Sequence, residues 1–164
     1  MQDDSLGRYR ILGELGAGGM GRVFRAEDSV LGRHVALKKL PNEVAADPAW
    51  RQRFMREARQ ASALNHPNVV TVYDIGEAPD GLFISMEVID GVTLREWMSS
   101  RHDCDSILAV AEQIASGLAS AHAAGITHRD LKPENVMVRS DGLVKLLDFG
   151  LAKPHATAAG SHST

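Results

Sequence analysis

The segment HRDLKPENVMV, residues 128–138, concentrates the side chains that could do chemistry in this chain. Arg129, Asp130, Lys132 and Glu134 stand beside Asn135, and the chain then returns at once to apolar residues. Such a set supplies charge neutralisation and alignment of reactants rather than a covalent intermediate. The alternative is a solvated loop with incidental charges. The apolar flanks favour a loop that is held against the core.

A helix and two strands are predicted to position this segment. The apolar face formed by Ile107, Val110, Ile114, Leu118 and Ala121, with a glycine just past the end, predicts a long buried helix over residues 106–124. Two short strands are expected around residues 140–142, before the sequence LLDFGLAKP. The last ten residues have no apolar periodicity, and residues 154–164 are predicted to be a disordered tail.

The first half of the chain has a strand-like pattern that glycine interrupts. Residues 9–39 predict three antiparallel strands, and NVVTVYDIGE and GLFISMEVI predict a further pair across residues 78–81. A helix is expected from Asp47 and Pro48 to about Leu64, because proline favours the first helical position. Residues 93–96 form a capping box that opens a short helix.

Two charged side chains fall on faces that should be apolar. Glu57 lies within the helical stripe that contains Phe54 and Ala61, and Lys38 shares a strand face with Ala36. Each charge would need a partner if buried, so we predict that the two form an ion pair that fixes the ammonium near a bound phosphate. On the helix alone, Glu57 could equally reach an exposed edge.

The composition limits the classes of protein to which this chain could belong. The chain has 164 residues, of which 44% are apolar and 24% charged, with a net charge of −3. This charge gives no basic footprint for nucleic acid. Cys104 is the only cysteine, so no internal disulfide and no cysteine-based metal site is possible. No apolar run approaches the about 20 residues that span a bilayer. We therefore expect a soluble, cytoplasmic protein.

The order of elements predicts an α+β fold with a small sheet lobe followed by a mainly helical lobe. The boundary is expected near residues 89–91. A cleft between lobes is a usual ligand site. The sequence GAGGMG at residues 16–21 satisfies G-x-G-x-x-G, which alone is a weak signal. It does not fit a dinucleotide fold, because a strand follows it and no acidic residue stands about 20 positions later. It fits a hairpin over phosphates, or a flexible hairpin without a ligand.

Five motifs together resemble the protein kinase family: GAGGMGRV, VALK, Glu57, HRDLKPEN and DFG, in that order. The resemblance covers residues 9–153, and Lys132 with Pro133 is similar to the serine/threonine branch, in the style of bacterial members. It implies a kinase N-lobe at residues 9–89, a partial C-lobe at residues 90–153 and the α+β fold of that family.

The resemblance also implies a role for each matching residue in ATP-dependent phosphorylation of protein Ser/Thr hydroxyls. Asp130 would accept the substrate proton, Lys132 would neutralise the transferring group, and Lys38 oriented by Glu57 would hold the α- and β-phosphates. Asn135 and Asp148 would bind Mg²⁺. His128 would pack on Phe149. The remaining nucleotide contacts are expected from Leu15, Gly16, Ala17, Gly18, Gly19, Met20, Gly21, Val23, Ala36, Glu87, Ile89 and Met137.

The sequence departs from the family pattern after the DFG motif. The A-P-E signature and the later helices are absent, so we expect a chain truncated within the activation segment. Three interpretations remain: a fragment of a serine/threonine protein kinase, an ATP-binding module without transfer activity, and a small-molecule kinase of related fold. Intact Lys38, Asp130 and Asp148 disfavour the second, and the complete HRDLKPEN disfavours the third.

Overall fold

A computed structural model describes residues 5–18, 21–40, 47–78 and 81–149. Within these ranges the first half of the chain forms one antiparallel sheet of six strands in the order β1-β2-β3-β4-β6-β5. The three strands predicted over residues 9–39 and the later strand pair are all present. The strands are β1 (Ser5–Leu6), β2 (Tyr9–Gly18), β3 (Gly21–Asp28), β4 (Arg33–Lys39), β5 (Val72–Ala78) and β6 (Gly81–Met86).

A buried aspartate sets the turn between β3 and β4. Asp28 is fully buried, and its Oδ1 accepts hydrogen bonds from the backbone N–H groups of Val30 at 3.1 Å and Leu31 at 3.2 Å. This turn fixes the register of the hairpin. As a result Lys38 on β4 lies opposite Val23 on β3.

The first helix, α1 (Pro48–Ser62), covers one side of this sheet. It begins as predicted: the Asp47 side chain accepts from the N–H groups of residues 49 and 50, and Pro48 occupies the first turn. The helix ends two residues earlier than expected. Phe54 and Ala58 are buried on it, and they pack with Ile84 of β6.

The second half of the chain has its own small sheet, formed by β7 (Gly91–Thr93), β8 (Val136–Arg139) and β9 (Val144–Leu146) in that order. The two strands expected around residues 140–142 are β8 and β9, and the capping box forms as predicted at α2. Strand β7 was not predicted, since three residues are too few for a period to show. The other elements of this half are α2 (Leu94–Trp97), α3 (Cys104–Ala123) and a 3₁₀ turn (Pro133–Asn135).

Backbone hydrogen bonds join the two halves. Val69, in the segment before β5, forms a parallel bridge with Leu146 of β9. The N–H of Val70 donates to the Leu146 carbonyl at 2.9 Å, and the N–H of Leu146 donates to the Asn68 carbonyl at 2.8 Å. The Asn68 side chain donates to the carbonyl of Val144 at 2.9 Å. The chain just before Asp148 is therefore held against the first sheet.

Helix α3 is less buried than the sequence predicted. It packs against β9 along one side, where Val110 and Ala121 are buried, but Ile107 is 49% exposed and Leu108 66% exposed. The prediction of a long buried helix is wrong in this respect, because the described elements cover only that side of α3. The predicted turn residues Pro79 and Asp80 and the predicted tail lie outside the described residues. No helix within the described ranges is both long and apolar enough to cross a membrane.

The contact between α3 and β9 gives a stability prediction at Gly117. A Cβ added there would lie 2.7 Å from Leu146 Cδ1 and 3.1 Å from the Asn68 carbonyl oxygen. We expect Gly117→Ala to lower the free energy of unfolding by about 1–3 kcal/mol through overpacking, although alanine favours helices. Urea denaturation measures the change.

The matched control is Ala115→Gly, at an exposed position on the same helix. It should cost about 1 kcal/mol, the ordinary difference in helix propensity. An unchanged or increased stability of Gly117→Ala would contradict the close approach of α3 to β9.

Candidate functional site

Lys38 is buried near the end of β4 and contacts the segment that follows the second sheet. It is 5% exposed, and its Nζ lies 2.7 Å from Oδ2 of Asp148, which follows β9 in the chain. The inward orientation that the strand pattern predicted for Lys38 is confirmed. The first sheet thus meets the DFG segment through a direct ion pair.

Glu57 also faces inward, but its partner differs from the predicted one. It is 6% exposed on α1, and its Oε1 accepts a hydrogen bond from Nη1 of Arg129 at 2.8 Å. The ion pairs among the described residues do not join Glu57 to Lys38, so the predicted pair is corrected. Both buried charges need a partner of opposite sign. Glu57 has Arg129 as its partner, and Lys38 has Asp148.

The backbone conformation of two residues explains why Glu57 and Lys38 have partners other than the predicted ones. Arg129 has φ 62° and Asp148 has φ 56°, and among the described residues they are the two non-glycine residues with positive φ. Left-handed conformations are costly for such residues and cluster at functional sites. They turn one side chain toward α1 and the other toward β4, which no sequence periodicity could indicate.

Asp130, Lys132 and Asn135 form one hydrogen-bonded cluster in the loop after α3. Oδ2 of Asp130 accepts from Lys132 Nζ at 2.9 Å and from Asn135 Nδ2 at 3.1 Å, and Asn135 Nδ2 also donates to the Asp130 carbonyl at 2.8 Å. The hydrogen bond to Asp130 raises the pKa of the Lys132 ammonium. Lys132 therefore keeps its positive charge beside the carboxylate.

His128 connects this loop to the DFG segment. Its Nε2 donates to the Leu147 carbonyl at 2.7 Å, and its ring lies 4.7 Å from the ring of Phe149, so the predicted packing is confirmed. Burial lowers the pKa of the His128 imidazole. A neutral ring fits this geometry, since Nδ1 can then accept from the N–H of Asp130 at 3.4 Å.

Gly16 and Gly21, at the ends of β2 and β3, differ in whether the structure leaves room for a side chain. Gly21 has φ 113°, and a Cβ there would lie 2.0 Å from the Lys39 carbonyl oxygen, so the backbone of β4 requires this glycine. A Cβ on Gly16 would meet nothing within 4 Å. Gly16 and Ala17 pair with β3, as does Gly18. The predicted contacts Gly19 and Met20 lie outside the described residues.

The other predicted nucleotide contacts are divided between the two sheets. Val23, Ala36 and Ile89 pack in one apolar cluster with Met86. Leu15 is 52% exposed at a bulge in β2, and Met137 lies on β8. Val23 and Ala36 thus supply apolar side chains on the first sheet, and Met137 lies on the second sheet.

Glu87 has only part of its backbone available to a ligand. Its N–H already donates to the Thr71 carbonyl at 2.9 Å. The Glu87 carbonyl oxygen is then the group that could bind the edge of a base. Ile89 follows in the segment that connects the two sheets.

Asn135 and Asp148 are the residues that could hold a cation. Oxygen ligands suit Mg²⁺. The Asn135 nitrogen is used by Asp130, which leaves its side-chain oxygen for a metal. Within the described part of the chain, no group of three or more His, Cys, Asp or Glu side chains could hold a metal. The pair supplies oxygen ligands that suit a cation which a bound phosphate also ligates.

The fold and the site together define a two-lobed arrangement, with a buried lysine on the sheet lobe that contacts Asp148 and an Asp/Asn cluster on the second lobe. The chain belongs to the protein kinase family. The family model described as the protein kinase domain matches residues 9–162.

Bacterial serine/threonine kinases are among the similar proteins. The chain is 42% identical over 160 residues to serine/threonine-protein kinase PrkC of Bacillus subtilis, covering 96% of this chain and 24% of PrkC. It is 44% identical over 148 residues to PknE of Mycobacterium tuberculosis, covering 89% of this chain and 26% of PknE. The chain thus spans about a quarter of these relatives.

The crystal structure of the PknI kinase domain of Mycobacterium tuberculosis has the same fold. The two superpose with a TM-score of 0.82 at 33% identity, over 93% of this chain and 64% of the PknI chain. The expected kinase-like fold and the expected family are therefore confirmed.

The burial of His128 gives a titration prediction. We expect its imidazole to titrate below the ordinary pKa of 6.5, because burial disfavours the charged ring. The folded state should therefore lose stability as the pH falls below about 6.5 toward the lower pKa of the folded protein. NMR of the histidine ring signals, assigned with His128→Gln, measures this pKa. A value at or above 6.5 would contradict the buried, neutral ring.

Proposed function

We propose that this chain carries the ATP-binding and phosphoryl-transfer residues of a serine/threonine protein kinase. The reaction moves the γ-phosphate of ATP to a Ser or Thr hydroxyl of a protein substrate. The observation that carries the proposal is the Lys38 to Asp148 contact of 2.7 Å, which links the predicted phosphate ligand to the predicted metal ligand across the cleft. In this proposal residues 9–89 are the N-lobe and residues 90–153 part of the C-lobe.

The residues of the loop have separate tasks in this proposal. Asp130 orients the acceptor hydroxyl and takes its proton, and Lys132, 2.9 Å from Asp130, neutralises charge on the transferring group. Mg²⁺, when bound by Asn135 and Asp148, would neutralise the phosphate oxygens.

The cleft around the phosphates is formed by both sheets. Lys38 holds the α- and β-phosphates, and the ends of β2 and β3 lie over them with Gly16 open to approach. The base packs against the apolar side chains of Val23 and Ala36, with the Glu87 carbonyl at its edge. Leu15, Ile89 and Met137 complete this apolar surface, and Glu57 stays paired with Arg129.

A second candidate is an ATP-binding module without transfer activity. The ion pairs favour it in one respect, because Glu57 contacts Arg129 and does not orient Lys38. Both candidates bind a nucleotide at the same site, and they differ in whether the phosphoryl group is transferred. Phosphorylation of a generic protein substrate by a longer form of the chain would decide for the first.

The nucleotide site is tested by thermal unfolding and calorimetric binding of Mg-ATP. We expect the parent chain to be stabilised by Mg-ATP through mass action on the folded state. Lys38→Met and Asp148→Asn should each weaken Mg-ATP binding by about 10- to 100-fold, the size of a charge-assisted contact.

The matched control is Asp130→Asn, which should spare Mg-ATP binding because Asp130 is assigned to the acceptor hydroxyl. Equal loss in all three variants would contradict the division of roles. A folded parent chain that Mg-ATP does not stabilise would contradict the nucleotide site itself.

A further inference from the structure

Lys145, in the middle of β9, is a buried cation that the proposed reaction does not use. It is 6% exposed, and its neighbours Val144 and Leu146 are both fully buried. A buried ammonium is costly unless a carboxylate and further hydrogen bonds compensate it. Lys145 lies three residues before Asp148, so the segment that it contacts is tied to the neighbourhood of the proposed site.

The partner of Lys145 is Glu87. Lys145 Nζ lies 2.8 Å from Glu87 Oε2 and 3.5 Å from the Val69 carbonyl oxygen. The same Glu87 oxygen accepts from the N–H of Thr71 at 3.3 Å, and the N–H of Glu87 donates to the Thr71 carbonyl at 2.9 Å. Glu87 is therefore held through its side chain and its backbone by two separate segments.

Glu87 lies where the direction of its backbone carbonyl would decide which base it can bind. It follows Met86 at the end of β6 and begins the segment that leads to β7 in the second sheet. Its N–H is occupied, so its carbonyl is the group left for a base. An adenine presents an amino donor to such an acceptor, whereas a guanine presents a carbonyl oxygen at the equivalent position.

We propose that Lys145 is a positioning residue for nucleobase recognition, which acts by fixing the Glu87 side chain and with it the direction of the Glu87 carbonyl. This inference rests on the proposed nucleotide site. Without the ammonium, the Glu87 carboxylate would turn toward water, since its side chain is 20% exposed. The carbonyl would then be held only by the bond from the Glu87 N–H to Thr71, and adenine would lose most of its advantage over guanine.

The experiment measures the dissociation constants of Mg-ADP and Mg-GDP by calorimetry for the parent chain, Lys145→Met and Lys145→Arg. We expect Lys145→Met to bind ADP about tenfold more weakly, the size of one lost hydrogen bond, and to bind GDP no more weakly than the parent. Lys145→Arg keeps the cation and should recover most of the preference for ADP.

A surface ion pair provides the matched control. Arg51 on α1 pairs with Glu77 far from Lys145 in the chain, and both side chains are largely exposed. Arg51→Met should leave both dissociation constants unchanged. A loss of stability alone would lower the binding of ADP and GDP together, so the ratio of the two constants separates positioning from folding.

Each outcome has a defined meaning. A folded Lys145→Met with the parent ratio of ADP to GDP affinity would overturn the inference and leave the proposed function intact. If Lys145→Met does not fold, the same ratio is read from Glu87→Gln, which loses the charge but keeps an acceptor for Thr71. A folded parent that binds neither nucleotide would overturn the proposed function, and the inference with it.

Discussion

The backbone pairing of residues 68–70 with Leu146 is the constraint on which the rest of the site depends. It joins a segment of the first sheet region to the last strand of the second sheet. Leu147 continues from this pairing, and its N–H donates to the Asn135 carbonyl at 2.8 Å. The same few hydrogen bonds therefore place Asp148 near β4 and Asn135 near Asp148. Without these hydrogen bonds, the residues of the two sheets would not be held close enough together to form one site.

Three ion pairs with buried members cross this junction. Lys38 contacts Asp148, Glu57 contacts Arg129, and Glu87 contacts Lys145, each pair with one member from the first half and one from the second. Buried ion pairs contribute little net stability, but a charge without its partner is strongly unfavourable. We interpret the three pairs as a device that selects one relative position of the sheets. A nucleotide in the cleft would have to compete with at least the first of them.

Much of this arrangement could be predicted from the sequence. Period-three-and-four spacing placed Glu57 on the buried face of α1, period-two alternation placed Lys38 inward, and the cap residues Asp47 and Thr93 marked two helix starts. These features depend on local geometry, which a sequence pattern reports directly. The protein family followed from the order of the motifs.

The choice of partners could not be predicted in the same way. Whether Glu57 meets Lys38 or Arg129 depends on the left-handed backbone at residues 129 and 148, and nothing in the periodicity reports it. The pairing of Lys145 with Glu87 joins residues 58 positions apart, so only the folded chain reveals it. The exposure of Ile107 and Leu108 depends on which elements surround α3. Tertiary context decides these features, and local pattern does not.

The most direct test of the proposed site is an NMR titration in which Mn²⁺ replaces Mg²⁺ in the presence of ADP. Paramagnetic broadening falls steeply with distance from the ion, so it locates the metal among assigned backbone signals. The predicted result is loss of the Asn135, Asp148 and Lys38 signals while those at the start of α3 and in β1 persist. Broadening centred elsewhere in a folded chain, or none with ADP bound, would contradict a nucleotide and metal site at this junction.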